Sequence, residues 1–341
     1  MNTRNIVLLI IIVVGVLIYV ATNTSLKTYS TADKSKYKKL FPSFDKSNIT
    51  RIETKKFQSV SIIEKKNDSW MVVDSMDTIP ADEKNVNNLL DDLDSLKIIS
   101  LCSKSPKSHF KMKVDTLQGS RFILYENRDT VLDVIIGGMA GFGATYIRPS
   151  SSDSVFEAKG MLSRYSAITD WRDKTIVEVP IHQIKSFSCE YTEGSYTVES
   201  TDTGWLVIDN TTGQKFIGDS TKISTLLRPL ADYRAATFPR LPDDTIGVDF
   251  SKPEYDIEIT LKDGTKTGFS AYPMPKNENI FIVKSEQSPL LYKAYKGGLR
   301  RFVREELEQL KLVEVPIDKT ADKKKLPPAP PKLPVKQPSG S

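Results

Sequence analysis

Histidine and cysteine are the scarcest of the chemistry-bearing residues in this chain of 341, two of each. His109 and His182 stand far apart, and neither has a second histidine, cysteine or carboxylate at ligand spacing, so no zinc site is expected. Cys102 and Cys189 fall at different places in the chain's internal repeat. A bridge between them is conceivable in an exported protein, but scattered cysteines more commonly end as buried free thiols. No serine stands in a Gly-x-Ser-x-Gly elbow, which leaves a Ser-His-Asp assembly without support. Glycine clusters only once, at Gly137-Gly-Met-Ala-Gly-Phe-Gly143. A phosphate cradle there would have to open a helix and carry a lysine, whereas this stretch has no lysine and lies between two expected antiparallel strands. A flexible hairpin loop is the expectation.

Charge is also unevenly supplied. The net charge is +5, yet residues 23–46 and 318–341 each carry six lysines against two aspartates, and Arg4 adds one more, so the body between 47 and 317 is about −4. Nucleic-acid binders place basic residues on a folded face among aromatics. Here they sit on two low-complexity flanks, and no nucleic-acid partner is expected. Long apolar runs are absent except Ile6 to Ala21, sixteen residues without a charge. This run predicts a membrane anchor over 1–24, with the lipid bilayer as a partner, followed by a Lys-rich juxtamembrane linker over 25–46. A cleaved signal peptide is disfavoured because Tyr19-Val-Ala21 puts a bulky residue where a small one is wanted. No cysteine ends the segment, which excludes a lipoprotein anchor. The lysines after the run favour a cytoplasmic body by the positive-inside rule, a bias that short signal-like segments often override.

What the chain has in abundance is repetition. Trp70-Met-Val-Val-Asp is followed by Asp82 and an apolar stripe, Val86, Leu89, Leu90, Leu93 and Leu96, at helical spacing. Trp205-Leu-Val-Ile-Asp returns 135 residues later, with Asp219 and then Ile223, Leu226, Leu227, Leu230 and Tyr233 at the same offsets. Val177-Glu-Val-Pro-Ile181 recurs as Val313-Glu-Val-Pro-Ile317, 136 residues on. So long a period means two tandem domains, since solenoid units run about 20 to 50 residues. The spacing predicts α+β units over 47–180 and 181–316, each closed by a short helix and a Val-Glu-Val-Pro strand. A disordered Pro/Lys-rich tail is expected over 317–341.

Within the first unit, strands are expected at Ile49–Thr54, Ser59–Lys65 and Trp70–Asp74, with a turn at Asn67-Asp68. Asp82 is placed as a helix N-cap, with Glu83 suiting the first-turn dipole. Pro229 is expected to kink the matching helix or end it about a turn early. Further strands are expected at Phe122–Glu126, Val131–Ile136, Tyr146–Arg148 and Val155–Glu157, after a variable connection from Ser103 to Asp115. The second unit shows the chain's clearest hairpin signal, Ile257 to Leu261 in alternation before Asp263-Gly264. Trp70 and Trp205 read as core residues rather than ligand-stacking aromatics. Asp91, Asp92 and Asp94 read as a solvated helix face rather than an acid-base or metal cluster. No catalytic, cofactor-binding or metal residue is assigned.

Ile49-Thr-Arg-Ile52, Trp70, Pro80-Ala-Asp82, Val86, Leu89-Leu90, Leu93, Tyr146-Ile-Arg148, Val155-Phe156 and Trp171-Arg-Asp-Lys174 together resemble the domain of unknown function 4340 family. The likeness covers roughly residues 45 to 315. In the second half Trp171-Arg-Asp-Lys174 is matched to Leu307-Glu-Gln-Leu310, and Pro-Ala-Asp to Ile217-Gly-Asp219. The resemblance implies a bacterial single-pass membrane protein whose repeated domain lies outside the cytoplasmic membrane, often beside ABC-type transporters. It implies no catalytic residue. The expectation is a non-enzymatic interaction or scaffold protein of the cell envelope, accessory to a transport complex. The alternative is an extracytoplasmic module binding a small molecule or glycan.

Overall fold

Strand alternation and turn chemistry build most of this protein, and the two long helices fill one face of each sheet. The computed structural model describes residues 40–74, 78–303 and 307–312. Two units divide between Asp173 and Lys174. Among the described residues no helix is long and apolar enough to cross a membrane. The expected span Ile6–Ala21, the tail over 317–341 and the second Val-Glu-Val-Pro copy lie outside them.

The first unit runs β1 (Arg51–Lys56), β2 (Ser59–Lys66), β3 (Ser69–Val73), β4 (Thr78–Pro80), helix α1 (Glu83–Asp94), then β5 (Ile98–Ser103), β6 (Ser120–Glu126), β7 (Asp129–Gly141), β8 (Ala144–Pro149) and β9 (Val155–Lys159). All pair antiparallel, in the order β4-β3-β2-β1-β6-β7-β8-β9-β5. Asn67 and Asp68, at φ +48° and +65°, make the tight β2–β3 turn that their residue types favour.

The second unit opens with β10 (Thr175–Glu178) and continues β11 (Ile184–Tyr191), β12 (Gly194–Thr201), β13 (Gly204–Asp209), β14 (Lys215–Gly218) and helix α2 (Ser220–Ala231). It ends with β15 (Asp232–Arg234), β16 (Tyr255–Leu261), β17 (Lys266–Met274), β18 (Asn277–Ser285) and β19 (Leu291–Tyr295). Its large sheet is ordered β14-β13-β12-β11-β16-β17-β18-β19, the order of the first eight strands of the first sheet with each number raised by ten; β15, the counterpart of the edge strand β5, pairs with β10 instead. Thr237 bridges to Lys293 of β19, as Ser100 of β5 pairs with Glu157 of β9.

Both helices start where the aspartates predict. Asp82 accepts from the Asn85 amide, and Asp219 accepts from Thr221 and Lys222. Each cap supplies a partner for N–H groups the first turn leaves open, worth about 0.5–2 kcal/mol. Val86, Leu89, Leu90 and Leu93 are buried from α1, and Ile223, Leu226, Leu227 and Leu230 from α2. Each such side chain contributes roughly 1.5–3 kcal/mol.

Several expectations change. Helix α2 is not cut short by Pro229: both helices hold 12 residues. Pro229 lies in the last turn, where its missing N–H forfeits one bond, while buried Leu230 holds the end in place. Val177-Glu-Val-Pro does not close the first unit. Its strand β10 pairs with β15, just past α2, and Val179 donates to the Ala231 carbonyl. The counterpart in the first unit, 135 residues earlier, is the stretch from Leu40 to Phe44. Leu40, Phe41 and Phe44 pack on the core, and Phe41 meets Phe156 edge to face at 5.3 Å. The end of the supposed linker is therefore part of the folded unit.

The first unit closes instead on Trp171, whose carbonyl accepts from the Asp82 amide while Arg172 bridges to Ala81. In the second unit Leu310 accepts from Asp219, and Lys311 bridges to Gly218. The residue in the place of Trp171 is thus Leu310, not Leu307. Trp70 is buried, but Trp205 is only half-buried. Trp70 stands across from Ala81, whereas Trp205 pairs with Gly218, which has no side chain to flank the indole.

Candidate functional site

In the first unit, register places Lys55 of β1 opposite Arg121 of β6, Arg121 opposite Ile135 of β7, and Ile135 opposite Arg148 of β8. Directly paired residues share a face, so these four make one row across four strands. Ile52, Phe122, Val134 and Ile147, each an odd number of residues from a row member along its strand, belong to the main core with α1. The row therefore occupies the other face. Like charges directly opposite one another destabilise a sheet, and Lys55 beside Arg121 is such a pair.

This second face is covered by the connection between β5 and β6. Val114 is buried there with Ile135 and Val155, and Met112 and Tyr146 pack alongside. Gly137 and Gly119 allow the approach: a Cβ on Gly137 would lie 2.5 Å from Val114 Cγ1 and 2.6 Å from the Met112 carbonyl oxygen, and one on Gly119 would lie 2.7 Å from the Asp115 carbonyl oxygen. The expected flexible loop at Gly137–Gly143 is thus largely strand, since β7 runs to Gly141 and the turn is confined to Phe142-Gly143. Close packing under the cover, not phosphate binding or mobility, accounts for Gly137.

Between cover and row lies a cleft of about 320 Å³, with Lys55, Arg121, Ile135 and Arg148 on its floor and Asp115 and Phe57 at its sides. Lys55 Nζ is 2.9 Å from Glu53 Oε2. Arg121 holds Asp133 at two points, Nε to Oδ1 at 2.8 Å and Nη2 to Oδ2 at 2.5 Å. Asp115 accepts from the amides of Leu117 and Gln118 and from the Gln118 side chain, an arrangement that shapes the cover's turn. Arg148 is 8% exposed. Its Nε donates to the Val114 carbonyl at 3.2 Å and its Nη1 to the Ser152 carbonyl at 2.9 Å. Burial lowers its pKa from the ordinary guanidinium value, outweighing Asp153, Asp115 and Asp133 nearby.

Burial alone would push the Asp133 carboxyl up, but hydrogen bonds from Arg121 and Ser150, with the charge of Arg121, hold it below the usual carboxylate value. A lowered folded pKa contributes stability above the unfolded value, about 3.9, and that stability fades as pH falls through the folded value. Asp133→Asn should therefore flatten the fall in urea midpoint on acidification below roughly pH 4. A midpoint-against-pH curve identical to the parent's would show that the pair contributes nothing.

The second unit keeps the row but not its chemistry. The same register places Glu190, Asp256, Ser270 and Lys284 in sequence across β11, β16, β17 and β18. Lys284 is exposed and lies over the Phe250 ring at 4.1 Å. A smaller cleft in this unit, about 230 Å³, includes Glu193 and Glu254 against Lys296 and Arg300.

The residues singled out from sequence lie elsewhere. His109 Nε2 is 2.9 Å from the Asp153 carbonyl, and His182 sits in an exposed turn. Cys102 is half-buried and Cys189 buried, and they are not joined in a disulfide. Asp91 pairs with Lys46. Asp92 is more than solvated: it accepts from Arg164 at 2.7 Å and from the Tyr165 hydroxyl at 2.8 Å, tying α1 to the unit's closing turn. Burial first, with the Asp92 carboxylate, pushes the Tyr165 phenol up to about 12. Among the described residues no group of three or more His, Cys, Asp or Glu is placed to hold a metal ion.

Sequence reasoning missed the cleft. One signal was present: Val134-Ile-Ile136 and Phe122-Ile-Leu124 are apolar without alternation, the mark of strands covered on both faces. No curated protein and no solved structure matches the chain. The model of the domain of unknown function 4340 matches residues 70–254, from β3 of the first unit to the threshold of β16 in the second, more than half of the 341 residues, and the chain belongs to that family.

Proposed function

We infer that this is a non-enzymatic, single-pass membrane protein anchored by Ile6–Ala21, whose duplicated units form an interaction surface in the cell envelope as an accessory of an ABC-type transport complex. The part of that surface that receives a partner is the Arg148 cleft of the first unit, and what it receives is an acidic group. The observation that carries this reading is the contrast between the rows. Eight strands repeat in the same order, but Lys55, Arg121, Ile135 and Arg148 answer to Glu190, Asp256, Ser270 and Lys284. Nothing in the shared frame requires a buried arginine or a like-charged cross-strand pair on that face, so their presence in one unit points to a use.

Pull-down of the tagged full chain from detergent extract tests this. The parent should retain a stable protein partner, and the Lys55→Glu, Arg121→Glu double variant should lose it. A partner that stays bound to the double variant docks elsewhere. A parent that purifies alone removes the scaffold reading and leaves the small-molecule or glycan module. That second reading is favoured by the cleft's volume of about 320 Å³, which falls within the span of ligand pockets, about 300–1,000 Å³.

A further inference from the structure

The charge inventory of the cleft identifies the class of ligand, a step that rests on the reading of the cleft as a receiving site. Lys55 is matched by Glu53, Arg121 by Asp133, and neighbouring Arg51 shares Glu53 and Glu64 at 2.7 and 3.8 Å. Arg148 alone is left with backbone carbonyls as its partners, although it is more than nine-tenths buried. Asp153, Asp115 and Asp133 act on it through space, but among the described residues no carboxylate is in ion-pair contact with this buried guanidinium, and one taken in two-point geometry would offset its desolvation. With Asp115 already at the side of the cleft, a single added negative charge suits Arg148. A phosphate dianion would bring a second charge beside Asp115 and Asp133, where like charges repel.

Two apolar features say what carries that charge. Ile135 separates Arg121 from Arg148 in the row, giving the cleft an apolar centre. Phe57, in the two-residue turn between β1 and β2, is 65% exposed and held at φ +51°. A bulky side chain is uncommon at positive φ, and such strain persists where the surroundings or a function hold it. The second unit has Thr192 at this place, without a positive φ.

We propose that the cleft binds a single carboxylate carried on an apolar or aromatic body, the carboxylate seated on Arg148 beside Arg121 and the body lying over Ile135 against Phe57. A free aryl or alkyl acid and the C-terminus of a polypeptide ending in an apolar residue present this same chemistry, and the test separates them.

Calorimetric titration of the full chain in detergent would use 3-phenylpropionate, an acetylated dipeptide ending in phenylalanine, 3-phenylpropanol and inorganic phosphate. At least one of the two acids should bind saturably, with the alcohol and phosphate weaker by about tenfold or more. A dipeptide preferred over the free acid assigns the site to a polypeptide end, and the reverse assigns it to a small acid. Arg148→Gln should abolish acid binding. Because that variant removes a buried group, Arg121→Gln and Phe57→Ala serve as the folded controls: each should weaken 3-phenylpropionate severalfold, and Phe57→Ala should leave acetate unchanged. Phosphate binding more tightly than either acid, equal binding of acid and alcohol, or no saturable acid binding by the folded parent would overturn the proposal. If acids bind as expected while the Lys55→Glu, Arg121→Glu chain still retains its partner, the interaction reading fails and the ligand class stands.

Discussion

Trp171→Ala should destabilise the first unit by about 3–5 kcal/mol, the range for deleting a large aromatic from a packed core. Trp171 is 1% exposed, and its indole meets Phe122 edge to face at 6.2 Å. Its carbonyl receives the Asp82 amide at 2.8 Å, and the Asp173 amide reaches back to Pro80 at 2.7 Å. The ring therefore anchors the segment that covers β4, the outermost strand on that side of the sheet. Denaturant unfolding followed by circular dichroism would measure the loss, and hydrogen exchange would locate it in residues before 174. Trp171→Phe, which keeps a ring in the site, should lose markedly less. A midpoint equal to the parent's would mean that the closing segment does not depend on this side chain.

Gly268→Ala should disrupt the second unit about as severely. A Cβ at Gly268 would lie 1.9 Å from the Ile257 carbonyl oxygen and 3.1 Å from the Glu258 Cα. Both atoms are backbone of β16, which is pinned between β11 and β17 by register on either side. No rotamer change relieves such a clash. Overpacking a well-filled site costs typically 1–3 kcal/mol, and with backbone as the obstacle about 3 kcal/mol or more is expected. Gly141→Ala is the control, since a Cβ there meets nothing within 4 Å. Soluble Gly268→Ala protein with the parent's unfolding midpoint would show that the strands separate easily to admit a methyl group.

Local chemistry made much of the frame legible. Asp82 and Asp219, each ahead of an apolar stripe, named the helices and their caps, and Asn67-Asp68 named a hairpin turn, because these depend on residues close in sequence. The cleft depends on register instead. Lys55, Arg121, Ile135 and Arg148 are spread over more than ninety residues, and each looks like an ordinary strand position until four strands are laid side by side. The cover was also obscured, because its lysines and serines look like solvent-exposed connection while Val114 alone carries its buried contact. Val177-Glu-Val-Pro misled for a related reason: a repeated phrase marks a period but not which unit owns each copy. The backbone pairing with β15 decides that.

The placement of the row on the face away from the long helices bears on how a duplicated protein acquires two characters. Substitutions among Ile52, Phe122, Val134 or Ile147 reach the core shared with α1, so inheritance there is constrained by packing. The row is a different medium. Its members alternate with those core residues along the same strands, and exchanging Lys for Glu or Arg for Asp at such positions leaves the core pattern untouched. One unit thus carries lysine and arginine beside a cover where the other carries glutamate and aspartate. Both share the same order of eight strands. The change of charge between the units falls on every second residue, and the core residues between stay apolar in both.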